Sequence, residues 1–338
     1  MTEPLVFDSF LRRQIWGGRT LGSLLGKSLP DAEPYGESWE ISALPQHPSR
    51  VIEGPYRGCD LIELWNSHAN ELMGTDPLPN DFPFFVKWLD CRDRLSVQVH
   101  PDDKLARELL GHNTGKSEAW VVVDAGPTAR IYAGLREGVT RSELESHLDA
   151  GTVEDCLHSF TPQVGDCISL PAGTIHCARG EILLAEVQQP SDATFRLYDW
   201  NRTDSNGQPR TLHRDLALRA IHWPQSPLGP TPPQVLTLGE SGAAGELLLR
   251  TPLFELQRFH VRDVWSAPHP HELTIWMLLD GSAELIPGAG GPRRVHSRGS
   301  TVLIPAAAGQ VRWRPVPDNS PCTLLCIRQP SSDSSDTE

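Results

Sequence analysis

Residues 165–176 read GDCISLPAGTIH, and the spacing inside this stretch decides the fold. Gly165 is followed by five residues, then by Pro171, Gly173 and His176. Proline and glycine interrupt a sheet ladder and turn the chain at a barrel corner. CISL before the corner reads as a short strand, and the chain restarts after it as another. His176 falls on that second strand and points into the barrel. Taken alone, the stretch also suits a hairpin whose histidine packs in the core or faces solvent.

The surrounding segments share this style. FPFFVKWLD (82–90), RLSVQVH (94–100), EAWVVVD (118–124) and EILLAEVQQ (181–189) read as strands. In RLSVQVH, Leu95, Val97 and Val99 fall on one face and Ser96, Gln98 and His100 on the other. Helical patterns are fewer. DDKLARELLG (102–111) opens on aspartates and closes on glycine, and TRSELESHLDAG (140–151) has a Thr140 cap with Glu143 three residues on. RTLHRDLALRAIHW (210–223) reads as a third. PQSPLGPTPPQ (224–234) holds five prolines in eleven residues and reads as a linker. Short strands resume beyond it at 253–261, 272–286, 300–306 and 322–328. The expected division is 1–223, a linker over 224–234, a second unit over 235–330, and a disordered acidic tail, SSDSSDTE, over 331–338.

Composition narrows the class. The 338 residues include 30 Lys+Arg against 43 Asp+Glu, a formal charge of −13. That balance argues against nucleic acid or an anionic membrane as partner, yet leaves room for a basic pocket. No run approaches the roughly 18 apolar residues of a membrane span, and MTEPLVFDSF lacks a signal-peptide pattern. Seven scattered cysteines without a CxxC suit free thiols in a reducing cytoplasm. Thirty prolines and 28 glycines point to short strands and tight turns.

The spacing G-x5-P-x-G-x2-H resembles the second sequence motif of the cupins. The first cupin motif supplies H-x-H and then a glutamate; here Gln98-Val99-His100 stands in its place, with Glu118 eighteen residues after the histidine. Two imidazoles, a carboxylate and an amide oxygen make a donor set that zinc accepts, with room for water or substrate. The expected fold is mainly β: two cupin-like jelly-roll barrels, the first with helical insertions.

A narrower resemblance covers residues 15 to about 222. IWGGRTLG, GESWEIS, FPFFVKWLDCRDRLSVQVHPDD, GKSEAW, PAGTIH and LLAEVQQPSDATFRLYDWNR occur in this order and together resemble the short bacterial form of the type I phosphomannose isomerases. The resemblance implies one zinc per chain, held by Gln98, His100, Glu118 and His176. It implies Lys116 and Arg196 as active-site cations and Glu37 as a pocket carboxylate. Ser96, Lys87 and Arg202 are the expected phosphate contacts. The implied reaction interconverts mannose 6-phosphate and fructose 6-phosphate through a cis-enediol, in a cytoplasmic monomer or dimer. A lysine base, a metal-bound hydroxide and a carboxylate such as Glu37 all remain open. A cupin isomerase or epimerase of another sugar, a cupin oxygenase, and a non-catalytic sugar-phosphate binder are the alternatives.

The second unit carries His269-Pro270-His271, but Ile275 and Trp276 stand where the partner glutamate is expected. GSTVLIPAAAGQ (299–310) keeps Gly299 and Pro305, with Gln310 in place of the histidine. It reads as a second cupin that has lost its metal site. Cys167 and Cys177 read as small buried residues rather than ligands.

Overall fold

The computed structural model describes residues 1–203, 207–239, 242–288, 290–317 and 320–330. The acidic tail lies outside the described residues. The chain forms two pairs of antiparallel sheets. In the first pair a six-stranded sheet runs through Phe10–Gly18, Tyr35–Ile41, Phe85–Cys91, Ile182–Gln188, Glu118–Ala125 and Cys167–Leu170. It faces a five-stranded sheet of Phe195–Tyr198, Val97–Val99, His176–Arg179, Arg130–Leu135 and Leu157–Phe160. In the second pair a six-stranded sheet runs through Gln234–Leu236, Ala243–Arg250, Glu255–Val261, Cys322–Arg328, Thr274–Asp280 and Thr301–Ile304, beside a four-stranded one.

The two six-stranded sheets share a core. Strand residues alternate faces, and here both faces are apolar. Trp88, Val121, Ala185, Ile275, Met277, Leu325 and Ile327 belong to one buried cluster between the sheets. Their neighbours along the strands, Leu89, Trp120 and Leu184, belong to a cluster within the first barrel; Trp276, Leu324 and Cys326 fill the second. This double burial explains near-continuous apolar runs such as FPFFVKWLD.

Register shows that the barrels repeat one design. Glu118 lies opposite Leu170 and Gln188, whereas Thr274 lies opposite Ile304 and Arg328. Thr274, rather than Ile275 or Trp276, therefore stands where Glu118 stands in the first barrel. Arg328 pairs with Glu255 at 3.0 Å and Glu272 at 2.7 Å, and the Gln310 amide donates to the carbonyls of Ala267 and Val311.

Three details differ from the sequence reading. A helix over Leu61–Met73, closed at its start by a reciprocal Asp60–Glu63 capping box, is an addition. The strand in RLSVQVH is confined to Val97–Val99. The third helix spans only Arg214–Ala220, because Arg210 and His213 before it are engaged with Asp199 and the Arg196 backbone.

The second barrel carries a pH-dependent element. His296 is buried beside Trp313, its Nε2 has no partner, and burial pushes its pKa down to about 4. Below about pH 6.5 the unfolded chain binds this proton while the folded chain does not. Stability therefore falls on acidification, by about 1.4 kcal/mol per pH unit at most, until pH approaches the folded value. His296→Phe is expected to flatten this limb in urea titrations between pH 7 and 4. An unchanged slope would refute the assignment.

Candidate active site

Three potential metal-ligating groups meet at one point. The ligand atoms of His100, Glu118 and His176 lie within 4.8 Å of one another, and all three residues are buried. Among the described residues no other such group of three occurs. Each arrives by simple local means. Val97 and Val99 are drawn into the core, so Gln98 faces the opposite way, toward the cavity. Gly173, at φ 84°, turns the corner before His176; a Cβ there would collide with the His222 ring at 2.4 Å. Gly115 lets the GKSE loop approach the Pro101–Asp103 backbone, where a Cβ would lie 2.6 Å from Asp102.

The hydrogen bonds set the histidine tautomers. His100 Nδ1 donates to the Ala193 carbonyl at 2.8 Å, and His176 Nδ1 to the Thr174 carbonyl at 2.9 Å. Both Nε2 atoms are left as lone pairs facing Glu118, at 3.3 and 3.1 Å from its oxygens. Burial, reinforced by the Lys116 ammonium, pushes His100 down to about 3, so it is neutral at pH 7. Burial would raise the Glu118 carboxyl, but its neighbours, foremost Lys116, outweigh it and hold the pKa well below the usual range. Glu118 Oε1 is buried with no hydrogen-bond partner. Two imidazole Nε2 atoms, an ionised carboxylate and an orphaned oxygen fit a divalent cation. The Gln98 amide lies beside them, its Nε2 3.2 Å from His176 Nε2 and its Oε1 3.5 Å from Ser96 Oγ.

The remaining expected residues divide. Lys116 sits at the cluster, its Nζ 2.5 Å from Glu118 Oε2 and 3.0 Å from His100 Nε2. Above it opens a cavity of about 260 Å³. Glu37, Lys87, Ser96, Gln98, Lys116 and Arg196 all line it. Arg202 does not. Its guanidinium is engaged with the Arg94 carbonyl, Asp93 and Asp199. Lys87 is buried against Glu186 at 3.2 Å, with Glu37 and Asp192 each at 3.9 Å. Burial would lower the Lys87 pKa, but these carboxylates raise it, so the ammonium is retained. Glu37 accepts from Gln14 at 2.5 Å and from the Trp39 indole at 2.7 Å.

Sequence reasoning missed Glu186, Arg12, Asp192 and Arg210, which also line the cavity. Glu186 accepts from Trp120 at 2.9 Å through one oxygen, and its other oxygen makes no hydrogen bond but faces Lys87 Nζ at 3.2 Å. Burial raises its pKa, offset in part by Lys87. Only strand pairing could reveal it, since Glu186 lies opposite Lys87 in the sheet. Asp103 is a further support, accepting from Gly115 N at 2.7 Å and Gln189 Nε2 at 3.0 Å, which holds the loop that presents Lys116. The cavity wall thus carries Arg12, Lys87, Lys116, Arg196 and Arg210 against Glu37, Glu186 and Asp192.

Fold and site together define a cupin-like protein with, among the described residues, one potential metal centre beside a cationic cavity. A family profile, phosphomannose isomerase type I, catalytic domain, matches residues 5–119. The mannose-6-phosphate isomerase of Streptococcus mutans is 36% identical over 261 residues, 77% of this chain and 80% of that protein. Mannose-6-phosphate isomerase ManA of Bacillus subtilis is 37% identical over 227 residues, 67% of this chain and 70% of its own length. The crystal structure of a Bacillus subtilis mannose 6-phosphate isomerase superposes with a TM-score of 0.87 at 31% identity, covering 96% of this chain and 99% of that one. The chain belongs to the type I phosphomannose isomerases.

Proposed function

We propose that this protein interconverts mannose 6-phosphate and fructose 6-phosphate, using a zinc ion held by His100, Glu118 and His176. The observation that carries the reading is the pair of Nε2 lone pairs and the ionised carboxylate, within 4.8 Å of one another beside a cationic cavity. Gln98 would complete the donor set through its amide oxygen after a turn of the amide, whose nitrogen stands 3.2 Å from His176 Nε2. The ion would supply positive charge that polarises the sugar's carbonyl and hydroxyl oxygens.

The reaction moves a proton between C2 and C1 through a cis-enediol and develops negative charge on oxygen. Lys116 and Arg196 would stabilise that charge. Arg196 has a buried Nε without a partner, and its Nη1 is fixed by the Thr211 carbonyl at 2.7 Å. Glu186 is our candidate for carrying the proton, because it lines the cavity with a raised pKa and its Oε2, held only by the Lys87 ion pair at 3.2 Å, makes no hydrogen bond. Glu37, with both oxygens engaged, would orient Arg12 and Lys87 rather than exchange protons. For the phosphate we favour Ser96 and Arg210. Arg210 is positioned by Asp199 at 2.8 Å and reaches the cavity, unlike Arg202. The cytoplasm is the proposed compartment; no helix among the described residues is long and apolar enough to cross a membrane.

The test is a coupled assay on mannose 6-phosphate with metal analysis. Chelation is expected to abolish turnover and zinc to restore it. A chain that binds zinc but turns over no mannose 6-phosphate would sink the proposal.

A further inference from the structure

The Pro-rich segment after the third helix has no strand or helix between 224 and 233, yet it does not hang free. Leu228 N donates to the Ala133 carbonyl at 3.1 Å, and Thr231 N to the Cys167 carbonyl at 2.7 Å. It is a strap along the first barrel, and its most connected side chain is Gln225. The Gln225 amide oxygen accepts from Ile175 N at 3.2 Å, while its nitrogen donates to the Gly173 carbonyl at 2.9 Å and the His222 carbonyl at 2.7 Å.

Those contacts bracket Thr174. The Gly173 carbonyl and the Ile175 N–H belong to the two peptide groups flanking it, so one amide fixes both. The Thr174 carbonyl in turn accepts His176 Nδ1–H and leaves Nε2 facing the centre. The same loop reaches the other histidine, because Gly173 N donates to the His100 carbonyl at 2.9 Å. We infer that Gln225 is a positioning residue for the metal centre, locking the loop that sets the orientation and tautomer of His176.

This rests on the zinc reading above, and the experiment separates the two. Zinc affinity is measured on the full chain by competition with a chromophoric chelator, and the melting temperature is measured on the zinc-free protein. Supporting groups of this kind typically change metal affinity by about 10- to 100-fold. Gln225→Ala is expected to bind zinc more weakly by that factor, with the zinc-free melting temperature unchanged. Gln225→Glu keeps the acceptor for Ile175 but loses both donors and sets a carboxylate oxygen against the Gly173 and His222 carbonyls, so it is also expected to bind zinc more weakly than wild type. Gln234→Ala, at an exposed position further along the chain, is expected to match wild type. Unchanged affinity in Gln225→Ala overturns the inference. So does weaker binding matched by a lower zinc-free melting temperature, which would mark general loosening. If the alanine variant does not fold, unchanged affinity in Gln225→Glu overturns it equally. A wild-type chain that takes up no zinc would instead overturn the reading beneath it.

Discussion

His176→Ala is expected to lose metal and turnover together. The substitution removes one of two imidazole donors and leaves Glu118 Oε1, 3.1 Å away, with no replacement partner. The polarising charge on the substrate oxygens goes with the metal. Taking that charge as several kcal/mol, kcat/KM falls by roughly a thousandfold or more. Lys116→Ala separates the two losses. Its ammonium is no ligand, but it stands 2.5 Å from Glu118 and lines the cavity. Zinc should be retained, while kcat falls by about 10²- to 10⁴-fold. Metal content by mass spectrometry, beside steady-state rates, distinguishes the two. A fully active Lys116→Ala, or a His176→Ala that keeps its zinc, would refute the assigned roles.

How much of this was legible in sequence depends on the range of the interaction. The G-x5-P-x-G-x2-H corner and the alternation in RLSVQVH are local, and they placed His176, His100 and Gln98 without a structure. The Asp60–Glu63 capping box and Gly74 were also legible local signals for the helix over Leu61–Met73. Glu186 lay beyond local reasoning. It sits in an apolar strand and acquires meaning only because Ile182–Gln188 pairs with Phe85–Cys91, bringing it to Lys87. Arg202 and Arg210 show the same limit. Both bind Asp199, yet only Arg210 lines the cavity, and nothing in the spacing of the two arginines chooses between them. Gln225 lies in a stretch that reads as a spacer, since prolines exclude regular structure and say nothing of what their neighbours' side chains bind.

The other large effect belongs to Lys87, whose role is as much structural as chemical. Lys87→Met is expected to destabilise the fold by about 3–5 kcal/mol, the usual consequence of leaving one buried charge without its partner. The stranded group is Glu186, 3% exposed, with Glu37 and Asp192 close by. Without the ammonium, the Glu186 pKa rises further above its unfolded value. A carboxyl raised in the folded state contributes stability below its unfolded pKa and loses it as pH rises through the folded one. The deficit of Lys87→Met should therefore shrink on acidification from pH 7 toward 4. Adding Glu186→Gln to Lys87→Met removes the stranded charge and should recover much of the stability at pH 7, as removal of both members of a buried pair often does. Turnover should remain low in the double variant, because the proposed proton carrier is gone. Urea unfolding of the four proteins gives the coupling energy directly. If the two substitutions prove additive, or if Lys87→Met is as stable as wild type, the lysine is not the counter-ion that keeps Glu186 in the cavity wall.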